Sequence, residues 1–312
     1  MVTEFKHISV LLNECIEGLN IKPDGTYFDG TLGGGGHSKE ILKRLTSGRL
    51  IAVDKDEDAL RFAGERLKEY SAKTTFVHDD FKNVDEILER LGITELDGVL
   101  VDLGVSSWQI DNAERGFSYM QDAPLDMRMD QTQKLTAKDV VNGYSENELL
   151  RIIRDYGDER FAKNVATNVV RERKIQPIET TGQLANIVEH SIPTQYRWKY
   201  GNPCKRTFQA IRIEVNGELN RLDTAMKAFV AHLKRGGRLL VITFHSEEDR
   251  IVKNALKEMA TGCTCDKSLP VCVCGRKEII KFVVSKAILP SGGEQEDNPR
   301  SKSAKLRIIE KL

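Results

Sequence analysis

From Thr26 to about Val105, short apolar runs alternate with stretches in which apolar residues recur three or four positions apart. Parallel strands joined by amphipathic helices produce that alternation. The runs predict strands at 26–29, 49–54, 74–78 and 97–102, and the periodic stretches predict helices at 37–45 and 56–69. Beyond Trp108 strand signals stop and helical periodicity takes over at 146–156, 159–174 and 181–190. Strand signals return at 238–244, 279–285 and 305–309. The pattern therefore describes an α/β domain whose sheet is interrupted by an inserted helical domain and completed by the last third of the chain. The Gly- and Glu-rich stretch 290–299 reads as a mobile connection.

Composition narrows the class. The chain has 312 residues, 40% of them hydrophobic and 30% charged, which is enough apolar material for a large core and two domains. No run reaches the ~20 apolar residues of a membrane span, and the first residues lack the long apolar stretch of a secretory signal. The expectation is a cytoplasmic protein with no membrane partner. Basic and acidic residues balance at 47 each, so any polyanion must be bound by a local basic patch.

The first candidate site is the turn Asp29-Gly30-Thr31-Leu32-Gly33-Gly34-Gly35-Gly36-His37, between a predicted strand and a predicted helix. Glycines there let the backbone approach a nucleotide-like cofactor. An ATP-binding P-loop needs Lys where Gly36-His37-Ser38 stands, and a dinucleotide fingerprint in the register Gly33-x-Gly35-x-x-Ser38 fails at its last glycine. Asp54 ends the second strand, where a carboxylate can accept hydrogen bonds from both ribose hydroxyls of S-adenosylmethionine (SAM) or NAD. The exit of the third strand, His78-Asp79-Asp80-Phe81, offers carboxylates for an adenine amine and an aromatic face for its ring, or else a solvated loop with Phe81 in the core.

The fourth strand delivers Asp102 to the sheet edge where open α/β folds bind ligands. Methyl transfer from a sulfonium needs an acceptor held in line at roughly 3 Å. A carboxylate there can accept a hydrogen bond from an exocyclic amine and stabilise charge developing on its nitrogen. The alternative is that Asp102 only caps the following turn.

Several long motifs occur in one order along nearly the whole chain. They are Asp29-Gly30-Thr31 with Gly35-Gly36-His37-Ser38, Asp102-Leu103-Gly104-Val105-Ser106-Ser107 and Glu114-Arg115-Gly116-Phe117-Ser118. Pro124-Leu125-Asp126-Met127-Arg128-Met129-Asp130 and Arg206-Thr207-Phe208-Gln209-Ala210-Ile211-Arg212 follow. The series ends with Phe244-His245-Ser246, Glu248-Asp249-Arg250 and Asn298-Pro299-Arg300-Ser301. In these motifs the chain resembles the bacterial RsmH (MraW) ribosomal RNA methyltransferases. The resemblance implies N4-methylation of a decoding-region cytidine of 16S rRNA, cytidine 1402 in the usual rRNA numbering, with SAM as methyl donor. It implies a Rossmann-like SAM-dependent methyltransferase core at 1–106 and 207–312, with a helical substrate-recognition domain inserted at 107–206. It also implies SAM contacts by Gly35, Gly36, His37, Asp54, Phe81, Asp102 and Gln109, with Asp102 as the catalytic residue. Better-known amino-methyltransferases carry Asp/Asn/Ser-Pro-Pro-aromatic where this chain has Asp102-Leu103-Gly104-Val105, which leaves the hold on the amine open. The expected partner is 16S rRNA within the small ribosomal subunit. A homodimer is a further expectation.

Three further features bear on substrate. Between Thr194 and Ile213 no acidic residue occurs, while Arg197, Lys199, Lys205, Arg206 and Arg212 interleave with Tyr196, Trp198, Tyr200 and Phe208. Cations for phosphates and aromatic faces for unstacked bases are what single-stranded RNA recognition uses, and that reading is favoured over aromatics as helical-domain core with the cations a solvated surface. Arg197, Trp198, Lys199 and Arg206 are the candidate RNA contacts, joined by His245 and Ser246 after a late strand. His245 is equally readable as a hydrogen-bonded core histidine. The segment 114–130 reads either as a lid over a flipped base or as a rigid irregular connection.

Four of the six cysteines crowd together as Cys263-x-Cys265 and Cys272-x-Cys274. Four thiolates can hold a tetrahedral zinc, and reduced thiols in a surface loop are the alternative. No metal is assigned to catalysis. A dehydrogenase of the same architecture binding NAD, a non-catalytic RNA-binding assembly factor, and a methyltransferase acting on DNA or protein are the rival functions. The first lacks its dinucleotide fingerprint, and the motif resemblance argues against the last.

Overall fold

The structure, a computed structural model, describes residues 9–199, 201–266 and 273–312. The chain divides into two units, one built from Met1–Gly104 with Arg221–Leu312 and the other from Val105–Asn220. The expected boundaries at 106/107 and 206/207 thus move to 104/105 and 220/221. The second shift has a local cause. Helix Cys204–Asn216 runs straight through residue 206 and buries Phe208, Ile211 and Val215 in the helical core. It stops only at Gly217, whose left-handed φ of 55° a glycine adopts without strain.

The first unit is a seven-stranded sheet of β1 (Thr26–Asp29), β2 (Arg49–Asp54), β3 (Thr74–His78), β4 (Leu96–Asp102), β5 (Leu233–Thr243), β6 (Ile280–Phe282) and β7 (Lys305–Lys311). Its order is β3-β2-β1-β4-β5-β7-β6, with β7 antiparallel to both neighbours and the other pairings parallel. Both faces of the parallel strands are covered, which is why Leu96, Val99, Leu100 and Val101 are all fully buried and why β4 reads as one apolar run. The strand order reverses between β1 and β4, so the carboxyl ends of β1, β2 and β4 border the crevice where such sheets bind ligands. This is the α/β sheet that the strand pattern predicted and the Rossmann-like core that the family resemblance implied.

The structure adds helices that the periodicity did not single out, among them Leu12–Leu19 and Ser246–Met259. Neither has Ser, Thr, Asp or Asn at its N-cap. The first follows Leu11 in a left-handed conformation with no side-chain cap, and the second is capped by His245. The stretch 290–299 is also more ordered than expected, forming helix Gly292–Asp297 and a following 3₁₀ turn, Pro299–Ser303. Glu294 on that helix accepts the Leu11 backbone N–H at 2.7 Å, so the segment clasps the start of the unit instead of swinging free.

The helical unit packs helices Glu146–Asp155, Ala162–Arg173, Thr181–Ser191 and Cys204–Asn216 around one apolar core. Thr136, Ser145 and Thr180 each open a helix with a reciprocal capping box, satisfying backbone donors at the helix starts. Segment 114–130 belongs to this core: Phe117, Leu125, Met127 and Met129 are buried in it. The buried Arg115 guanidinium donates to the carbonyls of Arg128 and Met129, and Arg128 forms a forked ion pair with Asp126. The rigid-connection reading holds and the lid reading is set aside, because the apolar side chains a lid would free are packing the core. Among the described residues, no helix is long and apolar enough to cross a membrane.

Candidate active site

Three strands of the sheet end in aspartate, and the three carboxylates have different surroundings. Asp29, at the end of β1, is fully buried and accepts the Ser38 hydroxyl at 2.7 Å and the Thr31 N–H at 3.2 Å. Asp54, at the end of β2, accepts the N–H of Gly33 on one oxygen at 2.8 Å and that of Asp56 on the other at 2.9 Å. Asp102, at the end of β4, keeps its Oδ1 buried with no hydrogen-bond partner. Its Oδ2 lies 4.0 Å from Nδ1 of His37, and its backbone N–H donates to the Thr31 hydroxyl at 2.6 Å. A carboxylate oxygen left unsatisfied in a buried position costs roughly 1–3 kcal/mol or more, so folding alone does not account for it.

Burial decides the charge of this cluster. It pushes the Asp29 and Asp54 carboxyls up to about 6. Asp102 rises further above the ordinary carboxylate range, first through burial and then through the nearby charges of Asp29 and Glu248. His37 is pulled down to about 4 by burial. Its Nε2 sits 2.9 Å from the Val10 carbonyl, a pure acceptor, so the proton of the neutral ring resides on Nε2 and Nδ1 faces Asp102 as a lone pair. Crowded acids with a neutral histidine form a site complementary to a cation.

The glycine loop owes its shape to two separate constraints. Gly35 has φ of 71°, where a side chain is strained, and leads into helix Gly36–Leu42. Gly36 has no such requirement, but a Cβ there would stand 1.9 Å from the Ser9 hydroxyl. Gly35, His37, Asp54 and Asp102 all lie within the first unit, on the loops and strand ends expected of them.

Other expectations change. Phe81 does not offer an open face to adenine: it is buried, with its ring stacked on Phe229 at 6.3 Å, because the 3₁₀ turn Phe81–Asn83 points it into the core. Gln109 is buried as the capping-box partner of Ser106, accepting the Ser106 N–H at 2.9 Å. His245 caps helix Ser246–Met259 through Nδ1 while its Nε2 lies 3.0 Å from Glu248 Oε1, and Ser246 is exposed at the first position of that helix.

In the helical unit, Arg197 and Arg206 converge with Arg160, Phe161 and Tyr196 around a cleft of about 180 Å³. The Arg197 Nε is buried without a partner, and Arg160 lies over the Tyr196 ring at 5.3 Å. Trp198 is 60% exposed, and the Lys199 ammonium stands 5.9 Å from the Tyr196 ring centre. Phe208 and Arg212 leave the expected set. Phe208 is core, packed edge-on against Tyr119, and Arg212 is held by a bidentate ion pair with Glu218. Tyr200 and Cys272 lie outside the described residues.

Sequence reading placed Asp29, Thr31 and Ser38 in its motifs without giving them individual roles, and it missed Arg160 as a cleft residue. One signal was available for Asp29: it ends its strand in the same way that Asp54 and Asp102 end theirs. Arg160 carried none, since it lies far along the chain from the 194–213 run.

The chain is 54% identical over 310 residues to the ribosomal RNA small subunit methyltransferase H of Clostridioides difficile, covering 99% of this chain and all of that protein. A protein of the same name from Lachnospira eligens is 54% identical over 312 residues, covering 100% of this chain and 99% of its own length. That of Clostridium botulinum strain Kyoto is 54% identical over 310 residues, covering 99% of this chain and all of the relative. The MraW methylase family model matches residues 4–312. With that match across the strand-end aspartates, the glycine loop and the helical insertion alike, the chain belongs to the MraW methylase family.

Proposed function

We propose that this chain transfers a methyl group from SAM to 16S ribosomal RNA, and that the acceptor is the N4 amine of a decoding-region cytidine, cytidine 1402 in the usual numbering. The names of relatives at 54% identity support the substrate class. The observation that carries the reaction is the buried, unpartnered Oδ1 of Asp102 at the carboxyl edge of β4. An exocyclic amine is a donor of the kind this oxygen lacks.

SAM supplies, when bound, an electrophilic methyl on a cationic sulfonium. Each Asp54 oxygen takes one backbone N–H and retains a lone pair for a ribose hydroxyl. The glycine loop, fixed by Gly35 and by Ser9 against Gly36, brings backbone close to the cofactor. Asp102 accepts one N–H of the amine and thereby orients the nitrogen toward the methyl carbon. Asp102 would stabilise the positive charge that develops on the amine nitrogen and would receive the proton that the amine gives up. His37 stays neutral and places no competing cation beside the sulfonium. In the helical unit, Arg160, Arg197 and Arg206 suit RNA phosphates, and the exposed Trp198 suits an unstacked base.

The test is transfer of radiolabelled methyl from SAM to small-subunit particles and to naked rRNA lacking the modification, followed by nucleoside analysis. N4-methylcytidine is expected with the natural chain, and a rate lower by at least about 10²-fold with Asp102→Asn. Label in a different nucleoside, or a natural rate in Asp102→Asn, defeats the assignment.

A further inference from the structure

The loop between helix Ser246–Met259 and β6 is long, and its ends are pinned by a hydrogen bond from Ile279 N–H to the Met259 carbonyl at 3.1 Å. Its described residues form no helix or strand after Met259 and before Ile280. Among its described residues, Val273 is 77% exposed and adds no apolar burial. Long loops without secondary structure of their own are uncommon in compact domains and usually carry a function.

Three cysteines converge here. The sulfurs of Cys263, Cys265 and Cys274 all lie within 4.8 Å of one another. The Cys263 and Cys274 sulfurs are 3.7 Å apart, well beyond a disulfide bond. Thiolates on a tetrahedral zinc at ~2.3 Å stand about 3.8 Å from each other, so this separation is one edge of such a tetrahedron. Cys265 Sγ accepts two backbone N–H groups, from Val273 and Cys274, each at 3.3 Å. A neutral thiol is a weak acceptor, whereas a metal-bound thiolate is stabilised by donors directed at its sulfur. Cys263 and Cys265 come from one end of the loop and Cys274 from the other, so the three ligands join its two ends.

We propose that Cys263, Cys265 and Cys274 bind a zinc ion that closes this loop, with the fourth coordination position unassigned. A clip between residues 263 and 274 removes loop entropy without requiring a core. Its ligand set is all sulfur and has no hard oxygen donor, which selects zinc over magnesium or calcium.

Full-length protein purified with zinc in the growth medium is expected to carry about one zinc per chain by mass spectrometry of the metal. Cobalt substitution is expected to give thiolate charge-transfer and tetrahedral d–d bands. Both signals should be lost in a C263S/C265S/C274S variant, in which no fully buried position is changed and whose fold circular dichroism will verify. Chelation should also increase the number of thiols that react with a disulfide reagent and speed tryptic cleavage after Arg276 and Lys277. Metal-free protein that gives no cobalt–thiolate band overturns the site, as does zinc retained at full occupancy by the triple variant.

Discussion

The Thr31 hydroxyl accepts the backbone N–H of Asp102 at 2.6 Å, joining the loop after β1 to the end of β4 across 71 residues of sequence. Asp102 therefore takes its position from the glycine loop as well as from its own strand. Thr31→Val keeps the shape but leaves that N–H without its acceptor, at a cost of about 1–3 kcal/mol. Methyl transfer is expected to fall about 10- to 100-fold through kcat, with KM for SAM little changed and Thr31→Ser close to natural. Equal kinetics for the Val and Ser variants would remove Thr31 from any positioning role.

Proton linkage should accompany SAM binding. Asp29 and Asp54 hold their protons up to about 6, and Asp102 higher, because burial penalises their charged forms. In the unliganded chain these raised values contribute stability at acid pH that is lost as pH rises through about 6. A bound sulfonium cation favours the ionised carboxylates, so SAM binding releases protons and tightens as pH rises through that range. Calorimetric titration in buffers of different ionisation enthalpy reads the proton release directly. Affinity independent of pH, with no proton exchanged, would contradict the electrostatic account.

Gly36 is a packing glycine. Gly36→Ala places a methyl 1.9 Å from the Ser9 hydroxyl, and overpacking of this kind costs about 1–3 kcal/mol. Ser9→Ala deletes the clashing oxygen, so most of the loss should vanish when Gly36→Ala is made in that background. The check is a double-mutant cycle by denaturant unfolding, in which additive energies would rule out the contact.

The arginine cleft predicts a salt signature. Replacing Arg197, Lys199 and Arg206 together by Ala should lower the slope of log affinity against log salt by about 2, at ~0.7 per phosphate on single-stranded RNA. SAM affinity should be unaffected. An unchanged slope in filter-binding titrations would place the RNA contacts elsewhere.

The core strands were legible because a parallel strand buried on both faces must be apolar throughout. β1, β2 and β3 occur at the predicted residues, and β4 begins one residue earlier. Asp54 and Asp102 were legible for a related reason: a charged residue closing an apolar run has to sit at the sheet edge. Sequence also identified the helical insertion and the cysteine pairs. It did not reveal that Phe81 is stacked in the core, that Gln109 and His245 serve as caps, or that residues 290–299 clasp Leu11. Each of those depends on which of two environments a side chain meets, and local pattern is the same in both. Nor does spacing along the chain reveal that Asp102 Oδ1 is unpartnered, that His37 holds its proton on Nε2, or that Arg160 joins Arg197 and Arg206. Those were decided by tertiary structure, because hydrogen-bond satisfaction and burial are set by atoms that come together only when distant segments fold against one another.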